Sequence, residues 1–474
     1  MKRKTSKLTT LFSAILLFFA WNSRAANPGY EIKVHIENLN DTVLYLGNHY
    51  GDKQYVRDTV KTDHNGWATF SGKEDLPGGI YLVILPNKTY FEILVSDQKF
   101  SVETDTIDYV MHMKCNGSIE NKLFNDHQKY VYAVSKETSL LKSRLDANKN
   151  NKDSTEAIKK LIMDKDKEVK DYRLKIVADY PKSLMAKIIT TMQEPEVPEA
   201  PKGPDGKPLD SLFSYHYFKA HFFDNVDFGD ERLLRSPILH NKANTYINQL
   251  TVPAPDSLII SIDTVIERSR ANKDVFKYFV ATLANKYETS NIMGYDKIFV
   301  HIAKRYYLSK DAFWADSALQ AKIAERVQKI EPNILGTPAH DLIMPDTALQ
   351  MHQLYKVNTK YTILVFWDPT CSHCKQEIPK LAQYYDSVKT KGVSIEVFAI
   401  GIESDIELWK KFIRENKLKW VNVSDLYNNT NFRNYYDIYS TPVIYLLNEK
   451  KEIIAKRLDT EKLRDFIEHE EGKK

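Results

Sequence analysis

Tyr361-Thr-Ile-Leu-Val-Phe-Trp367 is followed, three residues on, by Cys371-Ser-His-Cys374, and reading these two runs together decides the fold of the C-terminal part of the chain. The first run is rich in β-branched and aromatic residues and predicts a buried strand. After the second, Ile378, Leu381, Ala382, Tyr385 and Val388 recur at helical spacing, which predicts a helix with one face toward a core. A strand that ends just before a Cys-x-x-Cys, which in turn opens a helix, places Cys371 at a helix N-terminus. Unpaired N–H groups and the positive end of the helix dipole stabilise a thiolate there. This arrangement points to thiol–disulfide exchange.

Working outward, elements alternate from about residue 333. The pattern predicts strands at 361–367, 393–401, 420–425, 443–447 and 452–456, and helices at 371–390, 405–416, 430–436 and 460–470. This reads as a βαβ start with an antiparallel end, an α/β domain over 333–474. Upstream, about 118–331 reads as a mainly helical domain. Val275, Phe279 and Leu283 are spaced by four, and Phe299, Ile302, Ala303 and Tyr306 by three and four. Charged stretches within 148–170 read as solvated helix faces. The proline-rich segment 194–208 cannot be helical and reads as an exposed loop. Residues 27–116 show short alternating runs, such as Ile32, Val34 and Ile36, separated by Asn65-Gly66, Pro77-Gly78-Gly79 and Pro86-Asn87. That region reads as a small antiparallel β sandwich or barrel.

The first residues carry Lys2, Arg3, Lys4 and Lys7, then an apolar stretch from Leu8 to Trp21, then Ser23-Arg24-Ala25. This is the pattern of a secretory signal peptide over 1–25, cleaved after Ala25. The competing reading is a membrane anchor, but the apolar run falls short of the roughly 20 residues a spanning helix needs. No later stretch reads as a span. Export to the periplasm or cell envelope is the expected localisation. The formal charge of +4 drops to −1 without the five basic residues of 1–25, which contain no acidic residue. A near-neutral chain gives no electrostatic reason to expect nucleic acid or an anionic membrane as partner.

Three cysteines occur, Cys115, Cys371 and Cys374. That is too few for a disulfide framework, so the close pair reads as redox-active. Cys115 reads as a small buried residue, with a resolving thiol as the competing reading. Haem attachment fails because Lys375, not His, follows Cys374. Zinc fails for want of a second ligand pair, and no metal or cofactor is expected. A peroxidatic cysteine would follow its threonine by three residues, whereas Thr370 adjoins Cys371.

Phe366-Trp367, Cys371-Ser-His-Cys374, Lys375, Glu377, Pro379 and Thr441-Pro442 resemble the thioredoxin superfamily. They are most similar to its exported TlpA/ResA-like thiol:disulfide oxidoreductases, and Gly336-Thr-Pro338-Ala339 resembles the opening segment of that branch. The resemblance covers residues 333–474. The upstream regions resemble accessory domains that precede such domains in exported proteins of Bacteroidetes-type bacteria.

The resemblance implies that Cys371 attacks a substrate disulfide and that Cys374, one turn in and more buried, resolves the mixed disulfide. Together they would form the redox-active disulfide. It implies a glutamate, Glu377, beneath that disulfide. If buried, its carboxyl titrates high and handles protons for Cys374; the competing reading is a surface helix glutamate. It implies a cis bond at Thr441-Pro442, and substrate contacts from Trp367, His373, Thr441 and Pro442. His373 also favours the thiolate, unless it is a mere spacer. The implied partners are protein thiols and disulfides, with a membrane electron donor. Three positions depart from the pattern. Val365 stands where thioredoxins bury an aspartate, Thr370 where a tryptophan usually precedes the first cysteine, and Ser-His replaces the usual dipeptide. The alternative from another class is a binding or assembly module that keeps the domain as a scaffold.

Overall fold

The computed structural model describes residues 29–403 and 405–472. The expected signal peptide lies outside the described residues. Among these residues no helix is long and apolar enough to cross a membrane. The chain divides into two compact units, one running to Thr191 and including Arg232–Pro237, the other made of Met192–Glu231 and Ile238–Lys474.

The first unit begins with eight strands: β1 (Tyr30–Glu37), β2 (Val43–Tyr50), β3 (Lys53–Lys61), β4 (Trp67–Gly72), β5 (Gly79–Ile84), β6 (Tyr90–Val95), β7 (Lys99–Asp105) and β8 (Lys114–Asn116). They form two four-stranded sheets, ordered β4-β1-β7-β8 and β3-β2-β5-β6. Alternation decides the inner faces: Ile32, Val34 and Ile36 are fully buried while Glu31 and Lys33 are exposed. Leu44, Leu46, Val83, Ile93 and Val95 from the other sheet join them in one core. One pairing departs from the expected antiparallel pattern. β1 and β7 run parallel: the chain forms β2 and β3 in the second sheet, β4 in the first, then β5 and β6 in the second, before β7 pairs with β1. The Asn65-Gly66 turn needs a left-handed residue, and Gly66 sits at φ 80° with the Ile36 carbonyl 2.5 Å from where a Cβ would lie.

Three helices complete this unit: α1 (Ile119–Ala147), α2 (Lys152–Asp179) and most of α3 (Leu184–Met192). Ser118 caps α1, accepting from the Asn121 N–H at 3.1 Å. The Asn121 amide then pairs with the Leu94 N–H and carbonyl at 2.8 and 2.6 Å, joining α1 to β6. Glu120 accepts the first free N–H groups of α3, from Leu184 at 2.7 Å and Met185 at 3.2 Å. These contacts tie α1 to the strands and α3 to α1.

The second unit opens with residues 193–208, which form an extended loop closed by one bridge, Lys202 to Pro208. Helices α4 (Phe213–His221), α5 (Pro237–Asn248), α6 (Pro255–Ser269), α7 (Lys273–Glu288), α8 (Asp296–Ile302) and α9 (Ser317–Ile330) follow. The predicted apolar stripes, on α7 and on α8 with the wider turn Ala303–Leu308 that continues it, are all buried. The chain then forms the short strands β9 (Ile343–Pro345) and β10 (Met351–Gln353), and a five-stranded sheet ordered β13-β12-β11-β14-β15. Its strands are β11 (Tyr361–Trp367), β12 (Ile395–Gly401), β13 (Val421–Ser424), β14 (Val443–Leu447) and β15 (Ile453–Lys456). Helices α10 (Ser372–Thr390), α11 (Ile406–Glu415) and α12 (Thr460–Gly472) complete it. β11 is parallel to β12 and antiparallel to β14, so it lies at the centre with both faces covered. Ile363, Val365 and Trp367 join α10 and α12 in one core; Leu364 and Phe366 face the other, with Met344, Phe432 and Tyr436. The helix expected at 430–436 shrinks to a single tight turn, Phe432–Asn434, because Asn431 takes a left-handed φ of 49°.

An ionic seam joins the helices of this unit to its sheet. Lys456, on β15, binds the Asp296 carboxylate and the Asn333 carbonyl. Arg326, on α9, donates to Asp437 at 2.8 Å, and the Asn333 amide donates to the Tyr435 carbonyl at 2.8 Å.

Candidate functional site

The end of β11 and the start of α10 build the site. Cys371 is the N-cap of α10, with extended backbone (φ −68°, ψ 127°). The preceding turn is shaped by Asp368. Its carboxylate accepts both the N–H and the hydroxyl of Thr370, each at 2.6 Å, and its carbonyl accepts the Cys371 N–H at 3.2 Å. Asp-Pro is a turn signal, so Asp368 was visible in the sequence but was not singled out there.

Both thiols are free, and their environments differ. Cys371 is half-buried, and its Sγ lies 3.3 Å from the Thr441 carbonyl, to which the neutral thiol donates. Its pKa is lowered below the ordinary thiol value of 9.0, first by side-chain hydrogen bonding with Thr441, then by the N–H groups of Cys374 and His373, against desolvation. Those last two donors are unpaired N–H groups of the first helical turn. Cys374 is fully buried, and burial pushes its thiol up to about 11 even though its Sγ accepts the Asp368 N–H at 3.4 Å. The bond Thr441-Pro442 is cis.

The structure thus brings Cys371, Cys374, Thr441 and the backbone of His373 together. The His373 side chain is exposed, as is Thr370. Two expectations need correction. Trp367 is not a substrate contact: as the last residue of the central strand it is fully buried, with its ring 4.9 Å from that of Phe412. Glu377 does not titrate high. It accepts from Lys380 at 2.7 Å and from the Thr460 N–H at the start of α12 at 3.2 Å. Desolvation raises its pKa, but these donors outweigh it and the net shift is downward. Its carboxylate fastens α10 to α12, and these bonds go to neither thiol. Val365 is fully buried, so the strand supplies no carboxylate in its place. Cys115, on β8, is half-buried with its thiol pushed up to about 11 by burial. Among the described residues no group of three or more His, Cys, Asp or Glu is placed to hold a metal ion.

A labelling prediction arises here. Of the three thiols only Cys371 titrates below 9, while Cys374 and Cys115 lie near 11. The thiolate is the nucleophile. Iodoacetamide at neutral pH should therefore alkylate reduced native protein at Cys371 alone, as read by peptide mass spectrometry. Equal or faster modification of Cys374 would contradict this order.

Three family models match parts of the chain, and several known proteins are similar to it. Residues 358–453 match a thioredoxin-like family. Residues 30–124 and 148–333 match two domains of unknown function, DUF4369 and DUF5106. Sporulation thiol-disulfide oxidoreductase A of Bacillus subtilis is 32% identical over 111 residues, 23% of this chain and 66% of that protein. Thiol-disulfide oxidoreductase ResA of the same organism is 27% identical over 119 residues, 25% of this chain and 64% of that protein. The chain therefore spans just under two thirds of the length of these curated relatives. A solved domain of a possible thiol-disulfide isomerase from Cytophaga hutchinsonii is 47% identical, with 30% of this chain and 95% of that domain covered, at a TM-score of 0.28.

Proposed function

We propose that this chain, whose C-terminal region is a thioredoxin-like domain homologous to ResA/TlpA-type thiol-disulfide oxidoreductases, exchanges disulfides with protein substrates through Cys371 and Cys374. The observation that carries the reading is the contrast between the two thiols: one at a helix N-terminus with a lowered pKa, one buried a turn further in with a raised pKa. The first suits attack and the second suits resolution.

In the reducing direction the Cys371 thiolate attacks one sulfur of a substrate disulfide. The substrate S–S bond breaks, a Cys371–substrate disulfide forms, and one substrate thiolate leaves. Cys374 then loses its proton and attacks the Cys371 Sγ, forming the Cys371–Cys374 disulfide and releasing the second substrate thiolate. Two electrons pass to the substrate, and its two sulfurs end as thiols. The steps are reversible, so the oxidising direction uses the same atoms. Thr441 and Pro442 border Cys371 and offer backbone to an extended substrate segment, while His373 supplies an N–H to the attacking sulfur. Glu377 serves by joining the two helices.

The reading extends to export through the segment 1–25, to work in the periplasm or cell envelope, to a part in cell redox homeostasis, and to electrons drawn from a membrane donor. Dithiothreitol-dependent reduction of insulin tests the chemistry. Precipitation of insulin chains well above the uncatalysed rate is expected. A rate equal to dithiothreitol alone would favour the scaffold reading.

A further inference from the structure

We infer that Arg326 of α9 is a positioning residue for the segment Tyr435–Pro442, because one guanidinium reaches from the helical part of the unit and grips two residues of the loop that ends beside Cys371. This rests on the function proposed above.

The geometry is specific. Arg326 Nη1 donates to Asp437 Oδ1 at 2.8 Å, and the guanidinium lies 4.7 Å from the centre of the Tyr439 ring. Its Nε faces Glu288, at the end of α7, at 3.4 Å. The Arg326 side chain is 13% exposed and that of Asp437 only 4%, so the pair is sequestered and not a solvated surface contact. Arg457, beside β15, holds the other Asp437 oxygen. Tyr439, by contrast, is 72% exposed and stands two residues before Thr441, whose carbonyl meets the Cys371 thiol. The loop is thus fixed at its root by charge and offers an aromatic ring at its tip. A planar fork can satisfy a carboxylate while stacking on a ring, which an ammonium cannot do in the same way. Arg326 touches neither thiol, so its effect on exchange passes through the loop.

Amide exchange and steady-state kinetics on the full chain test this. In Arg326→Met, exchange at residues 438–441 should accelerate at least about tenfold while the β11 amides 363–366 keep their protection. The KM for insulin should rise about fivefold with kcat within about twofold, the signature of lost positioning in binding. Arg326→Lys, which keeps the charge without the fork, should fall between the two. If Arg326→Met does not fold, Tyr439→Leu removes only the exposed ring contact and should shift loop exchange and KM in the same sense. Unchanged loop exchange would overturn the inference, and so would equal acceleration in loop and strand, which would mark Arg326 as general scaffolding. Wild-type protein that reduces no insulin would refute the proposed function instead, with the amide-exchange result still deciding this one.

Discussion

Cys371→Ser is expected to reduce insulin turnover by at least about a thousandfold, because the variant has lost the only sulfur placed to attack. The hydroxyl that replaces it is not ionised at neutral pH, so the helix N-terminus has no anion to stabilise. Cys374→Ser should behave differently. Its Cys371 thiolate still attacks, but the resolving sulfur is gone, and covalent complexes with substrate should accumulate on non-reducing gels. The difference follows from burial: Cys371 is accessible at the helix cap, whereas Cys374 is fully buried beneath it. Complexes trapped by Cys371→Ser and absent from Cys374→Ser would reverse the assignment of the two roles.

Asp296→Ala is expected to cost about 3–5 kcal/mol of stability, the usual penalty for removing one partner of a buried ion pair. The Lys456 side chain is 5% exposed and that of Asp296 13% exposed. Without Asp296 the ammonium keeps a single acceptor, the Asn333 carbonyl. Burial already lowers the Lys456 pKa below its ordinary 10.5 despite the neighbouring carboxylate. Removing Asp296 lowers it further. The folded state then binds fewer protons than the unfolded state between the depressed value and 10.5, and stability rises with pH across that window. The penalty is therefore largest at neutral pH and relaxes under alkali. Urea unfolding followed by fluorescence of Trp367, Trp409 and Trp420, all in the core of this unit, measures it. A loss below about 1 kcal/mol at neutral pH would show that the charge finds another partner. Asp296→Ala combined with Lys456→Met should recover much of the loss, since no unpaired charge is left.

Where local pattern and burial agree, the sequence was legible. The strand at 443–447 was read to the residue, and the helix opening at Cys371 to within one. The strand β3, Lys-Gln-Tyr-Val-Arg-Asp-Thr-Val-Lys, was missed because it lies at a sheet edge with no residue buried, so no alternation was written into it. β9 and β10 are three residues each, too short to show a period. The site was legible in its sulfur chemistry and less so in its surroundings. Nothing local distinguishes a substrate-facing tryptophan from a buried one at the end of a strand, so Trp367 was misplaced. Glu377 was misread because its partner Thr460 lies 83 residues away. Arg326 could not be seen at all: its carboxylate is 111 residues distant, and only the fold joins them.

The buried valine at position 365 sets a clock. With Val365 in the strand and Glu377 turned toward Thr460, neither position that could carry a proton acceptor presents one to Cys374. A thiol near 11 is ionised in only about one molecule in ten thousand at pH 7. The charge of Cys371, one cause of that high value, disappears once its sulfur is in a mixed disulfide, but burial, the larger cause, remains. On the exchange proposed above, scarce Cys374 thiolate would prolong the mixed disulfide, and acid would prolong it further.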